Sequence, residues 1–281
     1  MAGAARRGRM ITRFAPSPTG PLHLGHAWAA MMADEAGDML LRVEDIDRAR
    51  SRPEWEAAIV ADLRWLGLDW PEPVMRQSER MPAYAQALDR LWSMGVLFPC
   101  VCARRDIAAA ASAPQEGAPL HGPDGIVYPG TCRGASRMGV RPDGAALRLD
   151  ADAVGDLVWT EAGATRSMAA ADYRRGMGDV VVARRDMGTS YHLAVTVDDA
   201  AQGVTLVTRG EDLAEATPIH VALQRLLGLP TPEYHHHDLV RDGAGRRLAK
   251  RDDARSIASY RAAGWSADAL KERLRESRIA P

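Results

Sequence analysis

Apolar and polar positions along the first seventy residues fall into blocks of alternating period. Residues 9–15 (RMITRFA) make an apolar run of strand length. A piece rich in proline and glycine breaks it, because proline withholds a ladder donor and glycine admits unusual dihedrals. The pattern then predicts a helix beginning near His26 (HAWAAMMADEAG) and a second buried strand, DMLLRVEDID, that ends in acids. A helix from Pro53 to about Gly67 follows, with proline at an early helical position and apolar residues at helical spacing. The order strand, helix, strand, helix is that of an α/β fold built on a parallel sheet. A further helix is predicted from about Pro82 to Gly95.

From Pro99 to about Tyr173 the texture changes. An Ala/Pro/Gly-rich piece (AAAASAPQEGAPLHGPDG) precedes short alternating segments such as AALRLDA and DLVWTEAG, the pattern of an inserted subdomain with a flexible loop. DVVVARRDMGTSYHLAVTVDDAAQGVTLVTRGEDL resumes strand-like runs, and a helix is predicted from Thr217 to Leu227. YHHHDLVRDGAGRRLAKRDDARS has the character of a loop, and two amphipathic helices close the chain. No internal repeat is visible. The organisation expected is therefore four segments: 1–98, 99–175, 176–240 and 241–281.

Composition refines this picture only in places. With 46% hydrophobic and 26% charged residues over 281 positions, the chain has the material for one large or two smaller domains. No window approaches eighteen uncharged apolar residues and no apolar run follows the basic start, so no membrane partner and a cytoplasmic location are expected. A net charge of -1 neither proposes nor excludes RNA; such a contact needs a local basic patch. Lysine is scarce: Lys250 and Lys271 are the two among 36 basic residues. The three cysteines, Cys100, Cys102 and Cys132, crowd one region, and in a chain of this character a disulfide is the weaker reading.

The stretch RFAPSPTGPLHLGHA (13–27) leaves a strand and opens a helix, the place where an α/β sheet meets nucleotide phosphates. His23 and His26 then become donors for charge developing on an attacked α-phosphate; the alternative is a rigid turn with two incidental histidines. Three thiolates need a fourth donor to complete a tetrahedral zinc site, and His121 lies in the intervening loop; buried free thiols are the other possibility. His235, His236 and His237 are adjacent on a strand-like stretch, so they point to alternate faces and fit a structural or nucleotide-neighbouring role better than a metal site. Neither a P-loop nor GxGxxG is present.

RFAPSPTGPLHLGHA resembles the HIGH signature of class I aminoacyl-tRNA synthetases in the form carried by the glutamate-specific branch. LRVEDIDRAR (41–50) is similar to that branch's RIEDTD segment, SYHLAVTVDDAAQGVTLVTRGEDL (190–213) to its second amino-acid-binding segment, and RRLAKR (246–251) to its KMSKS loop. The matches run in the family's order over most of the chain. The resemblance implies a Rossmann-like parallel sheet divided between 1–98 and 176–240, a zinc-containing insertion at 99–175, and a KMSKS-type loop with short helices at 241–281. It implies a ligase that joins L-glutamate to ATP, with Mg²⁺, as glutamyl-adenylate. Arg13, Phe14, Ala15, Pro16 and Ser17 then lie in the glutamate-binding loop, Glu44 faces the ammonium, and Tyr191 and Arg209 complete the pocket. His23, Gly25, His26 and Lys250 serve ATP, with His23, His26 and Lys250 catalytic. A YxGxC position makes Tyr128 the fourth Zn²⁺ ligand beside Cys100, Cys102 and Cys132, with His121 its rival.

Arginine grips a carboxylate bidentately, which favours glutamate over glutamine. A rare lysine at position 250 suits mobile phosphates better than a planar guanidinium, whereas Arg247 and Ala249 depart from the KMSKS lysine and serine. About thirty residues follow Arg251, room for two helices and none for an anticodon-reading domain. The short members of the family, acting as monomers, transfer glutamate to queuosine in the tRNA(Asp) anticodon. A truncated synthetase charging a tRNA 3′ end and a non-catalytic RNA-binding paralogue remain open beside this.

Overall fold

The computed structural model describes residues 9–111, 121–240 and 255–276. In chain order the elements are β1 (Ile11–Phe14), α1 (Leu24–Ala36), β2 (Asp38–Val43), α2 (Pro53–Trp65), β3 (Met75–Arg76), α3 (Met81–Ser93), β4 (Leu97–Cys100) and α4 (Arg104–Ala111). There follow β5 (His121–Gly122), β6 (Gly125–Ile126), β7 (Ala146–Leu149), β8 (Leu157–Glu161), β9 (Ala164–Met168), α5 (Ala170–Gly176) and β10 (Val181–Ala183). The chain ends in α6 (Tyr191–Ala201), β11 (Leu206–Gly210), α7 (Thr217–Leu227), β12 (Glu233–His237), α8 (Ile257–Ala262) and α9 (Ala267–Glu276). Two compact units result, one drawn from Met1–Gln77, Gly203–Asp212 and Pro232–Pro281, the other from Ser78–Gln202 and Leu213–Thr231. The expected insertion at 99–175 lies inside the second.

In the first unit β1 pairs in parallel with β2, β2 with β3, and β11 with β12. β11 lies beside β1: the Thr205 N–H, just ahead of it, donates to Ile11 O at 2.9 Å, and the Arg13 guanidinium donates to Thr208 O at 2.9 Å. The core comes from α1 and β2, with Trp28, Met31, Leu41, Ile59 and Leu63 almost fully enclosed, and Ile257 and Leu270 close it from the last two helices. Burial of side chains this size is worth about 1.5–3 kcal/mol each, so the unit has its own stabilising centre. Helix α1 starts at Leu24, two residues before the predicted position, because the His23 side chain caps it. Strand β2 stops at Val43, leaving the acids beyond it outside the sheet. Gly67, with φ 75°, turns the chain out of α2.

In the second unit β7 is the middle strand of an antiparallel sheet between β10 and β4. β8 and β9 form a hairpin over Ala162 and Gly163, both at positive φ (48° and 75°), as a two-residue turn requires. The segment YHLAVTVDDAA is helix α6, not the strand its β-branched run predicts. Seven of its eleven positions are buried and only Ala201 is exposed, so no polar stripe betrays the helical period, and the Ser190 hydroxyl capping Leu193 N–H is the deciding local signal. The fully buried Asp198 of α6 accepts from Arg80 Nε at 2.6 Å and from Tyr84 OH at 2.7 Å, fastening α3 to α6. Among the described residues no helix is long and apolar enough to cross a membrane.

Candidate active site

The loop between β1 and α1 is organised by backbone. Proline offers no N–H, but the Pro16 carbonyl accepts from the Glu44 N–H and the Pro18 carbonyl from the Arg52 N–H, each at 3.0 Å, stapling this loop to the one after β2. Arg13 in β1, Glu44 just past β2 and Arg209 in β11 thus sit at the carboxyl ends of parallel strands, where open α/β sheets bind ligands. Glu44 Oε1 accepts from Arg42 Nη2 at 3.2 Å, and Arg42 is wholly buried. Arg209, 5% exposed, donates from Nε to His236 Nε2 at 3.1 Å. Phe14 belongs to the core, Pro16 is buried, Ala15 is half-buried and Ser17 is exposed. Tyr191 heads α6 in the second unit. Lys250, with Arg247 and Ala249, lies outside the described residues.

His23 and His26 are locked against each other at the start of α1. His23 Nδ1 accepts from the Gly25 N–H at 3.1 Å, His26 Nδ1 accepts from the His23 N–H at 3.2 Å, and the rings stack with centroids 3.8 Å apart. A neutral imidazole that accepts at Nδ1 carries its proton on Nε2, so both rings present an Nε2–H. A Cβ on Gly25 would lie 3.1 Å from the His23 ring, which is why the position between them is glycine. Beyond residues 241–254 the chain returns to this loop: Ser256 bridges His23, and the Ile257 N–H donates to Leu22 O at 2.9 Å.

Along the histidine triplet His235 is exposed, His236 half-buried and His237 buried, so the burial of β12 does not follow simple alternation. His236 is the support of Arg209, a partnership set by the β11 to β12 register that the sequence does not display.

In the second unit the sulfurs of Cys100, Cys102 and Cys132 lie within 4.8 Å of one another. The Tyr128 hydroxyl is 3.5 Å from the Cys100 sulfur and 3.4 Å from that of Cys102, and it accepts from the Cys132 N–H at 2.8 Å. His121, in β5, is not in this group. Burial pushes the Cys132 thiol up, but hydrogen bonds involving Tyr128, the Val101 backbone, Cys102 and Cys100 outweigh it and bring it down to about 7. Burial, then the thiols, push the Tyr128 phenol well above its ordinary range. The Arg148 guanidinium sits 3.8 Å over the Tyr128 ring.

A pocket of about 560 Å³ opens beside this cluster, lined among others by Asp124, Arg148, Arg184, Ser190, Tyr191 and His192. Sequence reasoning missed its polar chain: Asp124 Oδ1 is 3.0 Å from His192 Nε2, and His192 Nδ1 is 3.0 Å from His220 Nε2. The Tyr191 ring meets both imidazoles edge-on. These residues lie 68 and 28 positions apart, so no local pattern could have joined them.

The family model for class I tRNA synthetases (E and Q), catalytic domain, matches residues 9–278. A Glutamyl-Q tRNA(Asp) synthetase of Rhodobacter capsulatus is 61% identical over 92% of this chain and 96% of its own length. One of Symbiobacterium thermophilum is 44% identical over 92% and 83%. Among solved structures, a glutamate-tRNA synthetase from Elizabethkingia anophelis shares the fold with a TM-score of 0.74 at 23% identity, over 95% of this chain and 61% of that one. With the sheet, the HIGH-type loop and the match over nearly the whole sequence together, the chain belongs to the class I aminoacyl-tRNA synthetases, in the branch of the glutamate and glutamine enzymes.

Proposed function

We propose that this chain activates glutamate with ATP and transfers it to the queuosine of tRNA(Asp). The observation that carries this is the 61% identity to the Rhodobacter capsulatus Glutamyl-Q tRNA(Asp) synthetase over 96% of that relative. In this reading the guanidiniums of Arg13 and Arg209 take carboxylate charge and Glu44 takes the ammonium, and Tyr191 keeps the amino-acid-binding role that the family resemblance gives it. The α-carboxylate of glutamate attacks the ATP α-phosphate, and pyrophosphate leaves. His23 and His26 donate through Nε2–H to charge growing on that phosphate, and the tautomer lock described above keeps those donors in place before substrate arrives. Lys250 adds a mobile cation. Magnesium, carried by ATP, would supply charge neutralisation to the pyrophosphate. No covalent enzyme intermediate is needed.

The thiol cluster fits a structural metal. Tetrahedral zinc with bonds of about 2.3 Å to sulfur sets its sulfurs about 3.8 Å apart, and Cys102 and Cys132 stand at 3.5 Å with a phenol oxygen alongside. Cys100, Cys102, Tyr128 and Cys132 are the residues that would hold zinc, which would supply a cross-link between the end of β4 and the segment after β6.

Glutamate-dependent exchange between ATP and pyrophosphate, without tRNA, tests the first step. Labelled glutamate offered with tRNA(Asp) bearing queuosine or guanosine at the wobble position tests the second. Exchange with glutamate, and label on the queuosine form alone, are expected. Label on both forms, with or without tRNA-free exchange, would make this a 3′-end charging enzyme, and no exchange together with no label on either form would make it a non-catalytic paralogue.

A further inference from the structure

The pocket of the second unit holds more chemistry than amino-acid activation uses. At about 560 Å³ it is of the size that takes a nucleoside, well beyond what a glutamate fills. Its wall includes Tyr191, the residue of this unit to which the reading above gives an amino-acid-binding role.

Asp124 is the group in it best placed to recognise an acceptor. It stands in the tight turn between β5 and β6, and its side chain is 49% exposed. Burial pushes its carboxyl up, but the hydrogen bond and charge of His192 and the charge of Arg148 outweigh this and hold it below the usual carboxylate range. An anionic carboxylate makes His192 Nε2 the donor. His192 Nδ1 in turn stands 3.0 Å from His220 Nε2, so Asp124 is backed by a polar chain that runs through His192 to His220. His192 and His220 are 7% and 3% exposed, leaving Asp124 as the end of the chain that meets solvent. A carboxylate fixed from behind has acceptor capacity left in front.

Resting on the function proposed above, we propose that Asp124 binds the acceptor of the transfer step, taking hydrogen bonds from the cyclopentenediol of queuosine. That group carries two neighbouring hydroxyl donors, joined to the base through an amine that is cationic at neutral pH. A carboxylate accepts from both hydroxyls and complements the cation, whereas guanosine at the same position offers neither. Asp124 thereby distinguishes the modified from the unmodified anticodon.

Binding of synthetic anticodon stem-loops of tRNA(Asp), with queuosine or guanosine at the wobble position, tests this by fluorescence anisotropy. Wild type should prefer the queuosine form by about tenfold or more, Asp124→Asn should bring that ratio close to one, and Asp124→Glu, which keeps the charge, should retain part of it. In full-length tRNA assays, transfer should fall at least about tenfold further than glutamate-dependent exchange in Asp124→Asn. Retained preference in Asp124→Asn would overturn the inference, as would an equal fall in exchange and transfer, which would make Asp124 a support of α6. If wild type neither transfers glutamate to tRNA(Asp) nor prefers queuosine, the function itself fails and the inference with it.

Discussion

In the first unit the loop of residues 13–26 is held by main-chain atoms: the Pro16 and Pro18 carbonyls take N–H groups from the next loop, and two imidazoles wind the first turn of α1. In the second unit the thiols of Cys100, Cys102 and Cys132 meet through side chains, beside a small apolar cluster of Phe98, Cys100 and Tyr128 with Ile107 against it. The first arrangement rests on a core that folds around it, from Phe14 and Trp28 to Leu270. The second brings four polar donors together with little apolar support, and polar groups gathered this way are costly unless something satisfies them all. On the function proposed above, the contrast is between preorganisation for chemistry and cross-linking for structure. Damage to the first should therefore appear in rates, and damage to the second in stability.

The largest effect tests the first half of that statement. His26→Ala should lower glutamate-dependent pyrophosphate exchange by about 10²–10³-fold, while loss of its hydrogen bond to the His23 N–H lowers the melting temperature by only about 2–4 °C. A large loss of stability with little loss of rate would reverse the comparison. Next, Cys132→Ala should abolish the expected single zinc ion, measured by atomic spectrometry, and lower the melting temperature by about 5–10 °C. Wild type treated with a strong chelator should melt like the variant, and an unchanged melting temperature would make the thiols simple buried side chains.

Gly25→Ala is gentler. Its Cβ would stand 3.1 Å from one His23 ring atom and 3.2 Å from another, displacing the ring, and exchange should fall by about 3–10-fold with the fold intact. The smallest effect lies in the core of the first unit. Asp62 in α2 is 1% exposed, and burial pushes its carboxyl up despite Arg261 at 3.4 Å. A raised folded-state value means that the unfolded chain releases this proton first, so stability falls as pH climbs from the ordinary carboxylate range through the folded value. Asp62→Asn should accordingly melt about 1–3 °C above wild type at pH 8, with the gain gone near pH 4.

How much of this the sequence displays depends on the distance between partners. The HIGH-type loop is compact in sequence, and its prolines, glycines and histidines announce a rigid turn into a helix. Its histidines' second task, capping that helix, moved the start of α1 to Leu24. The cysteines are readable because they share one short region, whereas Tyr128 beside them is readable only through the family's YxGxC position. Helix α6 is not, because burial on all sides erases the polar stripe that marks a helix. The pairing of Arg209 with His236 depends on strand register, and the chain from Asp124 to His220 on tertiary packing alone.

The two proline carbonyls have a consequence for selectivity. Because Pro16 and Pro18 tie the Arg13 loop to the segment bearing Glu44, the two cannot shift independently to meet a guest. The span between guanidinium and carboxylate is set when the chain folds, before any amino acid arrives. With the roles proposed above for Arg13 and Glu44, such a pair acts as a gauge: aspartate, one methylene shorter, leaves one end unmet.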